Sequence, residues 1–466
     1  MIKYFAVMSP LKKSASFIAT ILLALSMPTT VQAQSTGATS APPSASQFIP
    51  FSVPTTKMQP VSAGVSTDDA AINLNQSLDK SLTQSPRMAG VRASLGIARS
   101  AYAQATVMPN PGFYISNTYH NSYFFGASIP VEPPWKLCFR LLVAKRQVEQ
   151  VRLDILRNMW LFRGEVRRRY AELVIAEELV RERAKLRDLA DRIVSSSAVA
   201  FDSGNVPNLD VRRAKLAFIQ AKMDFRQAEI QASQAREQLN ILMGEEAGAT
   251  LSVKGLPDIN DAKATSELLP NFKKQYPSRL KLTETALTNR LELKIARQAI
   301  AVNKANKLNT VGNILPTPRF VVGKALEVNP PYPGPSQHIG FFQAYIDAPV
   351  FNFQQGDLAK FKATGQQLEL DLKSQENQIA AQVSLAYHKM VAARERIHDF
   401  ISEALPESEA VTLISKHGYD LGQIDLNTLL DTQRANIQMK TQYYDAVLNY
   451  QLAVNDLEQS IGIILD

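Results

Sequence analysis

The chain carries most of its pattern twice. Phe201, Gly204 and Gly244 recur as Tyr419, Gly422 and Gly462, at a constant offset of 218. Phe124, Phe125, Ala127, Ile129, Val166 and Tyr170 recur as Phe341, Phe342, Ala344, Ile346, Val383 and Tyr387, at an offset of 217. Further upstream, Pro109-Asn110-Pro111-Gly112-Phe113 matches Pro316-Thr317-Pro318-Arg319-Phe320, at an offset of 207. A period of that length is too long for a solenoid unit. It describes two copies of one large half-structure, and the function must follow from what the halves enclose.

The first residues read as a targeting signal. Lys3, Lys12 and Lys13 precede an apolar run, Phe17 to Leu25, that is too short to span a bilayer. Val31-Gln32-Ala33 has the small residues of a cleavage site. Residues 34–66, rich in Ser, Thr, Pro, Ala and Gln, cannot bury a core and read as a flexible leader. The expected organisation is a signal peptide over 1–33, the leader over 34–66, a first repeat over 67–255, a linker over 256–282 and a second repeat over 283–466. The sole cysteine, Cys138, cannot form an intrachain disulfide and is expected as a packed thiol. The net charge of +8 is spread along the chain rather than gathered into a basic patch with aromatics, which argues against nucleic acid as a partner.

Each half has the same order: helix, two strands, very long helix, turn, long helix. Residues 76–107 and 283–310 read as helices ended near a Pro-x-Pro. The strand-like segments are Phe113 to His120, Tyr123 to Val131, Arg319 to Val328 and His338 to Ala348. Their length suits strands crossing a membrane at a tilt. Four strands cannot close a barrel, and an open edge is not tolerated in lipid, so membrane strands here require an oligomer.

The long helices are the stronger signal. Val148, Val151, Ile155, Met159, Phe162, Val166, Tyr170 and Leu173 form an eleven-residue period, echoed at Leu368, Leu372, Ile379, Val383, Tyr387 and Met390. That period favours straight or slightly right-handed packing, as in a cylinder of near-parallel helices. Return helices carry a small-residue stripe at Ala214, Ala217, Ala221, Ala228 and Ala232, copied around Thr432, Ala435, Met439, Tyr443, Ala446, Tyr450 and Ala453. Pro406 lacks a donor and should kink the second long helix.

At this point the residues resemble the TolC family of outer-membrane efflux channels. The most specific stretch is Tyr419-Asp420-Leu421-Gly422, then Leu429-Leu430-Asp431-Thr432-Gln433-Arg434, which is similar to the family's second hairpin tip. Phe201 to Val211 is similar to the first tip. Ala286 to Leu293 looks like the opening of the second repeat, with Leu291 in place of the usual Pro, and Ala348-Pro349-Val350-Phe351 is also family-like. The resemblance covers roughly 70–463 of the chain. It implies a mainly α fold with a small transmembrane β part: long hairpins forming a periplasmic α-barrel, and four strands per chain in a trimeric twelve-stranded β-barrel. It implies a homotrimer in outer-membrane lipid that docks on a periplasmic adaptor protein and an inner-membrane pump. Leu405-Pro406 and the Gly422 tip are similar to the heavy-metal branch, whereas Trp135 to Arg140 departs from that branch's usual entry.

No catalytic constellation stands out, and the five histidines lack metal-ligand spacing, so we expect no enzyme, cofactor or bound metal. The resemblance places Asp431 on the pore axis just inside the second tip. Like charges brought together there by symmetry would attract cations. Thr428 occupies the pattern's other acidic position, and Asp210 and Arg213 stand at the matching places of the first repeat. An Arg213–Asp431 pair between hairpins is the expected closed-state tie. Gly204, Val206, Gly422 and Ile424 are the expected adaptor-contacting tips. The competing reading is a periplasmic adaptor or helical scaffold, which would carry one hairpin flanked by soluble β-domains and lack the four strands.

Overall fold

The computed structural model describes residues 71–118, 122–204, 206–257, 268–327, 337–347 and 349–465. The signal and leader read over 1–33 and 34–66 lie outside these residues, as do the ends of three expected strands and part of the expected linker. The described residues fall in one compact unit, Asp68–Asp466.

The duplication is visible element by element. Helix α1 (Leu74–Gln84) matches α5 (Arg279–Asn289), each of 11 residues. Helix α2 (Pro86–Thr106) matches α6 (Leu291–Ile314). Strands β1 (Gly112–Thr118) and β2 (Ser122–Pro130) match β3 (Arg319–Glu327) and β4 (Gln337–Tyr345). Helix α3 (Pro134–Asp202) runs 69 residues, about 100 Å at 1.5 Å per residue. Its counterpart comes in pieces: α7 (Gln355–Asp399), a π-helical turn (Phe400–Ala404) and α8 (Leu405–Asp420). The return helices α4 (Asn208–Met243) and α9 (Leu426–Ile461) have 36 residues each.

The two single helices expected over 76–107 and 283–310 are each divided. Ser85 and Arg290 sit at the breaks with near-identical extended backbones (φ −58°, ψ 126° and φ −60°, ψ 128°). In the first repeat the cause is local, because Pro86 disfavours the helical region for Ser85. The second repeat keeps the break with Leu291 in place of proline, so tertiary packing must hold it. Gly462 supplies that packing. At φ +81° it closes α9, and a Cβ there would lie 3.1 Å from the Arg290 Cα. Gly244, at φ +78°, lies against Pro86 in the same way.

All four strands form one antiparallel sheet in the order β1-β2-β3-β4, so the β2–β3 pairing joins the halves. β1 and β4 are edges within the chain. One face is apolar and exposed: Phe113 (94 %), Ile115, Phe125, Ile129, Val322 and Phe342, with Lys324 its one charged side chain. The opposite face carries Tyr114, Ser116, Ser128, Arg319 and Gln343.

The helical core lies where the outgoing helices pass α1, α5 and α9. The expected stripe on α3 deepens along its length, from half-buried Val148 and Val151 to fully buried Val166 and Leu173. On α4 the small-residue stripe is buried as expected. On α9 it holds only from Tyr443 onward. Nearer the tip Ala435 is exposed, Gln433 is buried, and Leu426, Leu429 and Leu430 turn inward to meet Ile193, Ala214 and Ala217 of the first hairpin. Cys138, in the first turns of α3, is exposed rather than packed. The expected break at Pro406 takes the form of the π-turn. Leu405 N–H bonds back five residues to the Phe400 carbonyl, a wide turn that accommodates the donor missing at Pro406.

Candidate functional site

Two regions can carry a transport function: the sheet with its rim, and the hairpin tips. At the end of the sheet nearest the helices, Phe113, Trp135, Phe351 and Phe353 are all exposed, a band of aromatics below an apolar face. Such bands mark the interface of membrane β-barrels. Above the rim the two repeats are tied by a short polar strap. The Lys136 ammonium, buried and with its pKa lowered by that burial, donates to Thr317 Oγ1 at 2.9 Å. Arg140 donates to Glu132 at 2.8 Å and to the carbonyls of Ala105 and Val107.

At the first tip Gly204 stands at φ +76°, and at the second Gly422 at φ +71°. That left-handed conformation closes a helix at little cost only for glycine. Nothing lies within 4 Å of where a Cβ would sit at either position, so each tip glycine faces open space. Val206 and Ile424 are half-buried, and Ile424 lies over Gly418. Both tips expose apolar side chains, Val199, Phe201 and Leu209 at the first and Leu413, Ile414 and Leu421 at the second, the latter beside a cleft of about 550 Å³ lined by His417, Ile424 and Thr428.

Sequence reasoning missed the residue that organises this tip. Asp425 caps α9, accepting from the Thr428 N–H at 3.2 Å and from the Thr428 hydroxyl. These bonds hold its carboxyl below the usual carboxylate range. An Asp just before the first apolar residue of α9 was the available signal. Thr428 is therefore committed to the cap. Asp431 projects outward, its side chain 74 % exposed, with Arg434 Nη1 3.4 Å away on the same helix. Asp210 and Arg213 pair with each other at 3.5 Å. The expected Arg213–Asp431 tie is not made within the chain, because each charge has a partner one turn away on its own helix.

The strongest electrostatics lie higher up, between α3 and α9. Glu458, 2 % exposed, accepts from Arg163 at 3.0 Å and from Arg167 at 2.8 Å. Its other oxygen takes the Leu465 N–H, and Arg167 also reaches Gln451. Lower on α3, Glu178 accepts the Leu256 N–H at 2.8 Å. Burial pushes its pKa up, against the pull of Arg181. The same burial pushes Tyr443, close to Glu178, up to about 12. Lys440 of α9 then bridges Glu182 of α3 (3.6 Å) and Glu409 of α8 (3.5 Å), so that a single cation ties three helices together. Among the described residues no cluster of three or more His, Cys, Asp or Glu could hold a metal ion, and no helix is long and apolar enough to cross a membrane.

No protein-family model matches the chain. It is 20 % identical over 415 residues to the cobalt-zinc-cadmium resistance protein CzcC of Cupriavidus metallidurans, covering 87 % of this chain and 93 % of that protein. Solved structures with the same architecture include CusC, described for its transmembrane channel formation (TM-score 0.65, 14 % identity, 84 % of this chain and 92 % of that one). Another is the open state of the Neisseria gonorrhoeae outer-membrane channel MtrE (TM-score 0.65, 15 % identity, 84 % and 89 %). The chain therefore has the fold of these outer-membrane channels, the fold that the duplicated sequence and its tip motifs anticipate.

Proposed function

We propose that this chain is the outer-membrane channel subunit of a tripartite efflux or type I secretion system, conducting solutes passively from a pump and adaptor to the cell exterior. The observation that carries the reading is that, among the described residues, neither the sheet nor the helical layer closes on itself. The sheet ends in two unpaired strands, β1 and β4. The helical layer ends in α4, with Leu216, Ile219, Met223 and Ile230 exposed, and in α8, with Val411, Leu413 and Ile414 exposed. An apolar sheet face with open edges is stable in lipid only once the edges are paired. Joining β4 to β1 and α8 to α4 of successive copies closes both layers at once, and three copies give twelve strands.

In that assembly the domain boundaries expected from the sequence acquire roles. Each repeat supplies two strands and one hairpin, and residues 256–282 link the repeats. The tips carrying Gly204, Val206, Gly422 and Ile424 face the adaptor. Asp431 from each copy stands at the narrow end with Arg434 beside it, which offsets part of its charge. The likeness to CzcC and the similarity of Leu405-Pro406 to the heavy-metal branch support metal ions as the exported solutes.

Planar-bilayer recording tests the gate. Asp431→Ala should raise single-channel conductance severalfold and weaken cation preference, because a ring of like charges at a constriction controls both. Unchanged conductance and selectivity would remove Asp431 from the gate.

A further inference from the structure

We propose that the concave face of the sheet carries a binding site for organic cations with apolar substituents, built from Tyr114, Phe124 and Phe341 above two opposed glycines. This rests on the channel reading, which makes that face the lumen wall.

The strand register places Tyr114, Gly126, Gly323 and Phe341 in one row across all four strands. Both glycines lie on the same face as the two rings. A Cβ on Gly323 would fall 2.1 Å from the Phe125 carbonyl oxygen, and one on Gly126 2.7 Å from that of Val322. The strands bend over each other there as only glycine allows. Three strand spacings separate the ends of the row, about 14 Å along a flat sheet. Yet the Tyr114 and Phe341 ring centroids are 6.2 Å apart, and Phe124 sits 5.4 Å from Phe341. The sheet is thus curled with this face inside, and the rings close over the glycine pair.

The chemistry of the pad selects its ligand. Tyr114 meets Phe341 at 64° and Phe124 meets it at 78°, edge to face, so ring faces remain turned outward. Aromatic faces carry negative quadrupole density and attract cations that shed water readily. The only carboxylate in the four strands, Glu327, lies at the far end of β3, so the rings themselves supply the attraction. Small hydrated metal ions gain little from such a surface and anions gain nothing. Large quaternary ammonium ions gain from both their charge and their apolar arms. Closing three copies into one barrel brings three such pads to one level of the lumen, well away from Asp431.

The test is block of single channels by tetrabutylammonium added from the extracellular side. The wild-type channel should be blocked. Phe341→Leu, which keeps apolar bulk and removes the ring, should weaken block about tenfold, as loss of cation–π contacts does. Phe341→Tyr should keep it, and Tyr114→Leu should repeat the loss from the other end of the row. Phe342→Leu, which removes a ring from the opposite face of the sheet, should leave it unchanged. Absence of block in the wild type, block as strong as in the wild type in both leucine variants, or an equal loss of block in Phe342→Leu would overturn the site while leaving the channel intact. A complete absence of conductance would overturn the channel reading and the site with it.

Discussion

Hairpin one leaves the sheet on a single unbroken helix, Pro134–Asp202, whereas hairpin two leaves it in three pieces that meet at Phe400–Ala404. The difference extends to how each is held. Near its tip, α3 still buries Ala190, Ile193 and Ser197. Between Pro406 and Tyr419, α8 buries no residue. One outgoing helix is buried by the chain itself, whereas the other is held to α9 only through half-buried contacts, the Lys440–Glu409 ion pair and the Ser408–Asn436 and Ser415–Thr432 hydrogen bonds. Local stability follows buried contacts, so the segment beyond the π-turn is the low-stability part of the fold. In the channel proposed above, this asymmetry would give the gate one fixed wall and one movable one.

The sharpest way to break the comparison is to loosen the fixed wall. Glu458→Ala would leave Arg163 and Arg167 largely buried without their carboxylate, at a cost of ~3–5 kcal/mol. Thermal unfolding in detergent should show a large loss of stability. A near-neutral result would mean that α3 is held by its apolar stripe alone. A smaller effect is expected at the joint. Pro406→Ala restores a donor and lets α7 and α8 run on as one helix, so amide exchange over 407–419 should slow about tenfold or more. Exchange that stays fast would place the looseness in missing contacts rather than in the joint.

The smallest effect concerns Glu178, on the fixed wall. Its pKa is raised in the folded chain, so the folded state holds the proton more tightly than the unfolded one. Stability from this group is present below the ordinary glutamate range and is lost as pH rises through the raised value. Glu178→Gln keeps an acceptor for the Leu256 N–H and removes the charge, so stability at neutral pH should be unchanged or higher by about 1 kcal/mol, with a weaker pH dependence. A loss of stability at neutral pH would show that the Arg181 pair outweighs the burial.

Much of this frame is legible in the sequence, because long periods and repeated turn glycines are local signals. The strand starts at Phe113 and Arg319 and the hairpin turns at Gly204 and Gly422 were readable in that way. The break at Arg290 was not, because its cause is the packing of Gly462 against it, about 170 residues away. The inward-turning leucines of the second tip escaped for a related reason. The stripe at Thr432 and Ala435 is regular, but the partner that decides which face is buried is the first hairpin. Glu458 is one acid among many in the sequence, and only the fold brings Arg163 and Arg167 to it. Asp431 was legible as a motif position, whereas its pairing with Arg434 belongs to the geometry.

The central claim is that the open edges of one chain are closed by two more copies. Native mass measurement of the purified protein in detergent tests it most directly. The account predicts a single species of three chains, which falls apart when Leu413 and Ile414 on the α8 edge are both replaced by Asp. A monomer, or a species of any other copy number with both layers intact, would contradict it.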